Sequence, residues 1–180
     1  MAALTVDARP GPNGASPDGT VQLLFDELCL RWVREADVVV QQNGTVAPTL
    51  VLLPREKEAD EVAIRLDGLR GNLVERADAL VAELRPQTDQ HDPAGLVLML
   101  EARLGVGTES PPAAVDTGHA GEGADGVVVY VSLGHPTLRR ALGYRVHRPA
   151  AGPPSLVRLD ADPPVEHFAW LDALLRPGSG

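Results

Sequence analysis

A short basic segment is the part of this sequence whose residue types could carry chemistry. Residues 135 to 148 hold four arginines and two histidines without an acidic residue, in a chain of net charge −9. Arginine binds carboxylate and phosphate groups through paired hydrogen bonds. The segment therefore predicts a surface that binds an anion or an acidic partner, formed by Arg139, Arg140, Arg145, His147 and Arg148. The alternative is a hairpin whose arginines pair with neighbouring carboxylates, as solvated surface pairs commonly do.

A second candidate for chemistry is a serine that lies close to a histidine. Ser132 occurs in Tyr-Val-Ser-Leu-Gly-His, three residues before His135. A nucleophile and a base at this spacing permit a small hydrolase or transferase with an unfamiliar site. The Gly-x-Ser-x-Gly elbow of the serine hydrolases is incomplete, however, because its first glycine is missing. A structural serine on a strand is the competing interpretation.

The remaining polar motifs do not match known metal or cofactor sites. The five histidines are scattered, and the single cysteine, Cys29, cannot form a thiolate cluster. Asp89-Gln90-His91-Asp92 is the densest group of metal-ligand types, but it resembles a solvated loop. The glycine-rich stretch 118–123 is not followed by a predicted helix, as a phosphate-binding loop requires. We therefore expect no metal and no cofactor.

The net charge and the hydropathy pattern argue against several kinds of partner and against a location in a membrane. A net charge of −9 opposes binding to nucleic acid and to anionic membranes. The first residues lack the basic start and apolar core of a signal peptide, and no apolar run approaches the ~20 residues that span a bilayer. We therefore expect a cytoplasmic protein. Fifteen of the sixteen basic residues are arginine, which indicates a GC-rich and hence bacterial coding genome.

The helices and strands that position the candidate site residues are predicted from the pattern of apolar residues. Residues 1–17 are rich in proline and glycine and predict a disordered tail, whereas residues 18–176 predict a single domain with a flexible insertion at about 105–125. Helices are expected from residue 20 to Asn43, from a capping box at Asn72 to a stop at Pro86, and after Pro164. Strands are expected at 46–53, 62–66, 96–104, 127–133, 138–148 and 156–159.

Helices and strands in this order predict an α+β fold. Antiparallel strands joined by short loops, with the helices on one face, would form a two-layer sandwich with a mainly antiparallel sheet. Within it, Trp32 occupies the centre of the first helix's apolar stripe and is expected to be buried against the sheet. In the fifth predicted strand, Leu142, Tyr144 and Val146 should face inward, which leaves Arg145 and His147 on the opposite face.

The turn Asn43-Gly44-Thr45-Val46-Ala47-Pro48, placed between a helix and an apolar strand, carries a family resemblance. It is similar to a turn in a class of uncharacterised bacterial α/β proteins, in which a helix, this turn, two strands and a helix follow one another over a span corresponding to residues 20–160. The resemblance implies the fold and no activity.

The sequence therefore favours a non-enzymatic bacterial domain that acts through protein contacts, as an accessory or self-associating protein. Exposed edge strands would suit such contacts. An enzyme near Ser132 and His135, and an acidic inhibitor or immunity-type protein that covers a basic surface, are the alternatives.

Overall fold

The structure, a computed structural model, describes residues 19–56, 58–66, 71–72, 75–102, 116–117 and 126–176. The tail predicted for residues 1–17 lies outside this range, as does most of the insertion predicted at 105–125. Within that insertion, Asp116–Thr117 forms a two-residue strand that pairs with Gly71–Asn72.

Six strands form one antiparallel sheet that organises the domain. In chain order the strands are β1 (Thr49–Leu53), β2 (Val62–Arg65), β3 (Gly71–Asn72), β4 (Gly95–Ala102), β5 (Asp116–Thr117), β6 (Gly126–Ser132), β7 (Arg139–His147) and β8 (Ser155–Arg158). The main sheet has the order β2-β1-β4-β6-β7-β8, and β3 pairs with β5 in a separate ribbon. The helices are α1 (Gly19–Asn43), α2 (Ala77–His91) and a 3-10 helix (Val165–Leu175).

Helices cover both faces of the sheet. The buried side of α1 packs with one set of strand residues, while α2 and the 3-10 helix pack with the alternating set. The α+β fold and its antiparallel sheet are confirmed. The helices do not lie on one face as predicted, so the sheet is the middle of three layers. The cause lies in β4 and β6, whose residues are all buried, because a near-continuous apolar run has two faces to cover.

Helix α1 follows the apolar pattern closely. Its buried residues are Phe25, Cys29, Trp32, Ala36 and Val40. The helix ends at Gly44, whose φ of 75° is left-handed and whose amide donates to the Val40 carbonyl at 2.8 Å. Throughout the described ranges, no helix combines the length and apolar character required to cross a membrane.

Helix α2 differs from its predicted limits at both ends. The capping box at Asn72 is wrong, because this residue pairs with Asp116 in the ribbon and the helix begins at Ala77. The stop at Pro86 is also wrong, since the helix continues to His91. Pro86 lies on the exposed side, where water can bind the carbonyl that the proline leaves unpaired. Packing of the buried side onto the sheet outweighs the local cost of the proline.

The thiol of Cys29 should be inert in the folded protein. Only 2% of the residue is exposed, and burial raises the pKa of this thiol from 9.0 to about 11. Folding therefore favours the neutral thiol. The resulting contribution to the free energy of unfolding is complete below pH 9 and is lost as the pH rises towards 11.

We expect the native Cys29 thiol not to react with Ellman's reagent at pH 8 until urea unfolds the chain. We also expect the Cys29→Ala variant to lose less stability than the wild type between pH 9 and 11. Rapid labelling of the native chain would contradict this.

Candidate functional site

Strand β7 distributes the predicted arginines over two faces of the sheet. Arg139 and Arg140 are adjacent, so their side chains point in opposite directions. Arg140 lies on the α1 side, where its guanidinium is 2.8 Å from the Asp26 carboxylate and 5.6 Å from the centre of the Phe25 ring. Arg139 donates to Asp172 of the 3-10 helix at 3.1 Å. Each of these two arginines therefore already has a carboxylate partner in the fold, and each ties a helix to the sheet.

The far end of β7 carries the arginines that the fold leaves exposed. Arg145 and His147 lie on the same face of the strand as Arg139, and both are exposed. Arg148 is also exposed and donates to the Gly44 carbonyl at 3.0 Å. Within the part of the chain that the structure describes, Arg145 has no ion pair. The residue opposite Arg145 on β8 is Val157, which is 51% exposed.

On the face of β7 that carries Arg145, the strand is covered by other residues as far as Gly143 and is exposed from Arg145 onward. A Cβ atom at Gly143 would lie 2.8 Å from the Leu159 side chain and 2.9 Å from Pro163, so the chain passes directly over this glycine. Two residues further along, Arg145 is exposed. We call the exposed group Arg145, His147, Arg148 and Val157 the basic corner.

Of the five predicted binding residues, Arg145 and His147 lie on one face of β7, and Arg148, one position past the strand, donates to the Gly44 carbonyl at the end of α1. Leu142 and Val146 are buried and Tyr144 is half-buried on the α1 side, as the alternation predicts. Arg139 and Arg145 are separated by six residues, which corresponds to about 20 Å along a strand. The five residues therefore do not form one cluster, and the basic corner is the part that is accessible to a partner.

Asp172 organises a buried polar network that the sequence did not indicate. Its Oδ1 accepts hydrogen bonds from the Ser132 hydroxyl at 2.7 Å and from the Tyr130 hydroxyl at 3.2 Å, and its Oδ2 accepts from Arg139. Burial and the adjacent carboxylate both raise the pKa of Tyr130, which keeps this hydroxyl protonated as a donor. The network joins β6 and β7 to the 3-10 helix. No local sequence motif predicts it, because Asp172 is distant in sequence from the residues that it binds.

The serine and the histidine of the enzymatic alternative are not paired. Ser132 is fully buried, and its Oγ donates to Asp172 while accepting from the Gly134 amide at 3.2 Å. His135 lies in the following turn, where its Nδ1 is 2.8 Å from the Thr137 hydroxyl. A general base must reach the nucleophile by a hydrogen bond or through one water. This geometry instead gives the serine a structural part in the Asp172 network.

A cleft lies between the end of α2 and the end of the 3-10 helix. It has a volume of about 290 Å³ and is lined by Thr88, Asp89, Asp92, Pro93, Leu174, Leu175 and Arg176. Its two carboxylates are already paired, Asp89 with Arg85 at 3.7 Å and Asp92 with Arg55 at 3.1 Å. Across the described residues, no group of three or more histidine, cysteine or acidic side chains is placed to hold a metal ion. The cleft therefore lacks the free convergent polar groups of a ligand site.

The edges of the main sheet are β2 and β8. On β8 the Leu156 amide donates to the Asp37 carboxylate of α1 at 2.9 Å. An incoming strand would compete with this bond, which is a common protection of sheet edges. The side chains of the basic corner are a better candidate for recognition than the backbone of the edge.

Comparisons with protein-family models, with curated proteins and with solved structures find no match. The function is therefore argued from the geometry of this chain.

Proposed function

We propose that this protein is a non-enzymatic binding domain that recognises an acidic segment of a partner protein through the basic corner. The observation that carries the proposal is Arg145, an exposed cation without an ion pair among the described residues. It lies beside Val157, an apolar side chain that is 51% exposed. A cation next to an apolar side chain suits a peptide that alternates acidic and apolar residues.

The rest of the molecule favours a small acidic target over a nucleic acid. The chain carries a net charge of −9, so a long polyanion would be repelled beyond the corner itself. A peptide of a few residues contacts only the local positive potential, which falls off within about 8 Å at physiological salt. Arginine also matches the planar geometry of a carboxylate.

Binding of an acidic peptide tests the proposal. The probe is a fluorescent peptide of alternating glutamate and valine, and its control replaces each glutamate by lysine. We expect binding that weakens with salt for the first peptide and none for the second. The double variant Arg145→Ala/Arg148→Ala should bind at least about tenfold more weakly, the loss of ~1.4 kcal/mol, with an unchanged melting temperature.

Arg65→Ala is the matched control for this experiment. Arg65 is an exposed arginine at the opposite edge of the sheet, on β2, so its loss changes the total charge without touching the corner. It should leave peptide affinity unchanged once the charge difference is screened by salt. Equal affinities of the wild type and the double variant, measured by fluorescence anisotropy, would reject the basic corner as the binding site.

A further inference from the structure

The outer face of α1 combines exposed apolar residues with charged residues that have no ion pair among the described residues. Leu23 is 67% exposed, Leu30 is 54% exposed and Val38 is 42% exposed. Glu27 and Arg34 are exposed as well, and neither has an ion pair within the described part of the chain. At 3.6 residues per turn, all five positions lie on one stripe opposite the buried residues of the helix. Single exposed apolar residues are ordinary, whereas a stripe with this spacing is typical of a helix interface.

The stripe on one copy of α1 is complementary to the same stripe on a second copy that runs in the opposite direction. Leu23 and Val38 are equally far from a point between residues 30 and 31, and so are Glu27 and Arg34. If a second α1 is laid antiparallel across that point, Leu23 faces Val38 of the second copy and Glu27 faces Arg34 of the second copy. The two Leu30 side chains then meet at the centre. A parallel alignment instead places each charge opposite the same charge.

We propose that this stripe is a two-fold symmetric interface through which two copies of the chain associate by antiparallel pairing of α1. Symmetric dimers require one patch that is complementary to itself, and the reversed order of charges and apolar residues provides it. Two Glu27–Arg34 pairs, related by the axis, would flank the central leucine contact. The stripe shares no residue with the basic corner, so this inference does not depend on the proposed function.

The contact is limited to one helix from each copy. The 25 residues of α1 extend about 37 Å, and an interface of this kind belongs with the small, transient ones. We therefore expect a dimer dissociation constant on the order of tens of micromolar. In sedimentation-velocity experiments with the full chain, the dimer fraction should rise with protein concentration.

Charge reversal provides the first test. The variants Glu27→Arg and Arg34→Glu each place like charges opposite one another twice in a symmetric dimer, so each alone should dissociate about tenfold more readily or worse. Mixed together, they restore two opposite-charge pairs and should form a heterodimer at lower concentration than either variant alone. The double variant Glu27→Arg/Arg34→Glu should dimerise like the wild type, because the antiparallel pairs are exchanged and kept. A parallel dimer would gain nothing from this double change.

Cross-linking tests the antiparallel direction. Copies with Leu23→Cys and Val38→Cys should form a disulfide when mixed and oxidised, because the two positions face each other. Leu23→Cys alone should not cross-link to itself, since two copies of position 23 are about 22 Å apart along the axis at 1.5 Å per residue. The wild type is the control for the native Cys29, which is buried.

Together, these experiments distinguish an antiparallel dimer from a parallel dimer and from a monomer. Restored association in the mixture and in the double variant, with cross-links only between positions 23 and 38, supports the antiparallel dimer. A wild type that stays monomeric to about 1 mM, the weak limit of specific binding, overturns it. Self-cross-linking of Leu23→Cys overturns it in favour of a parallel pair. Binding of the acidic peptide should be unchanged in all these variants once salt screens their difference in net charge, so failure here leaves the proposed function standing.

Discussion

The Asp172→Ala variant is expected to unfold with a free energy about 3 kcal/mol below that of the wild type. The carboxylate accepts from Tyr130, Ser132 and Arg139, and its side chain is only 14% exposed. Removing it leaves two buried hydroxyls and one largely buried guanidinium without their acceptor. Leaving a buried donor unpaired costs more than the net gain of the hydrogen bond that it made.

Smaller changes separate the parts of this effect. Tyr130→Phe and Ser132→Ala each remove one donor and leave the carboxylate with its other partners, so each should cost about 1 kcal/mol. Asp172→Asn retains an acceptor oxygen and should lose less than Asp172→Ala. Urea unfolding followed by circular dichroism measures all four variants. A loss below about 1 kcal/mol for Asp172→Ala would show that water replaces the carboxylate.

The elements that were predicted well are those whose apolar pattern extends over several turns or a whole strand. Helix α1 and strands β6 to β8 lie where the periodicity predicts them, because burial of one stripe or face fixes both position and orientation. The limits of α2 were wrong for a physical reason. Asn72 is a good helix cap, but it pairs with Asp116 in a ribbon that closes over more than 40 residues, and a local motif carries no information about such pairing.

The candidate site was predicted in part for the same reason. The concentration of arginines in β7 is visible in the sequence, and alternation correctly places Arg145 and His147 away from the buried Leu142 and Val146. The carboxylates of Asp26 and Asp172, which occupy Arg140 and Arg139, come from helices at opposite ends of the chain. Which arginines remain free is therefore a property of the packed structure.

The division of the arginines also changes how their substitution should be interpreted. Loss of Arg139 removes a partner of Asp172 and should lower stability, whereas loss of Arg145 removes an exposed cation and should not. A variant lacking both would combine a folding defect with the binding defect that the proposed function predicts for Arg145. The two ends of β7 therefore need separate variants, with the melting temperature measured for each.

Trp32→Ala should be the most destabilising single substitution on α1, with a loss of about 3–5 kcal/mol. Trp32 is 6% exposed and packs in the cluster between α1 and the sheet that contains Val97, Val129 and Val131. The residue was expected to be buried at the centre of the apolar stripe, and this is confirmed. The alanine would leave a large cavity between two layers that rigid strands prevent from collapsing.

Two comparisons test whether packing is the cause of the Trp32 effect. The indole Nε1 is buried, and within the described residues it has no hydrogen-bond partner. Trp32→Phe should therefore cost only about 1 kcal/mol, because it keeps most of the ring volume and sacrifices no hydrogen bond. Glu35→Ala, at an exposed position one turn further along α1, should change stability by less than about 0.5 kcal/mol. If Trp32→Ala lost no more in urea unfolding than Glu35→Ala, α1 would not pack on the sheet through this face.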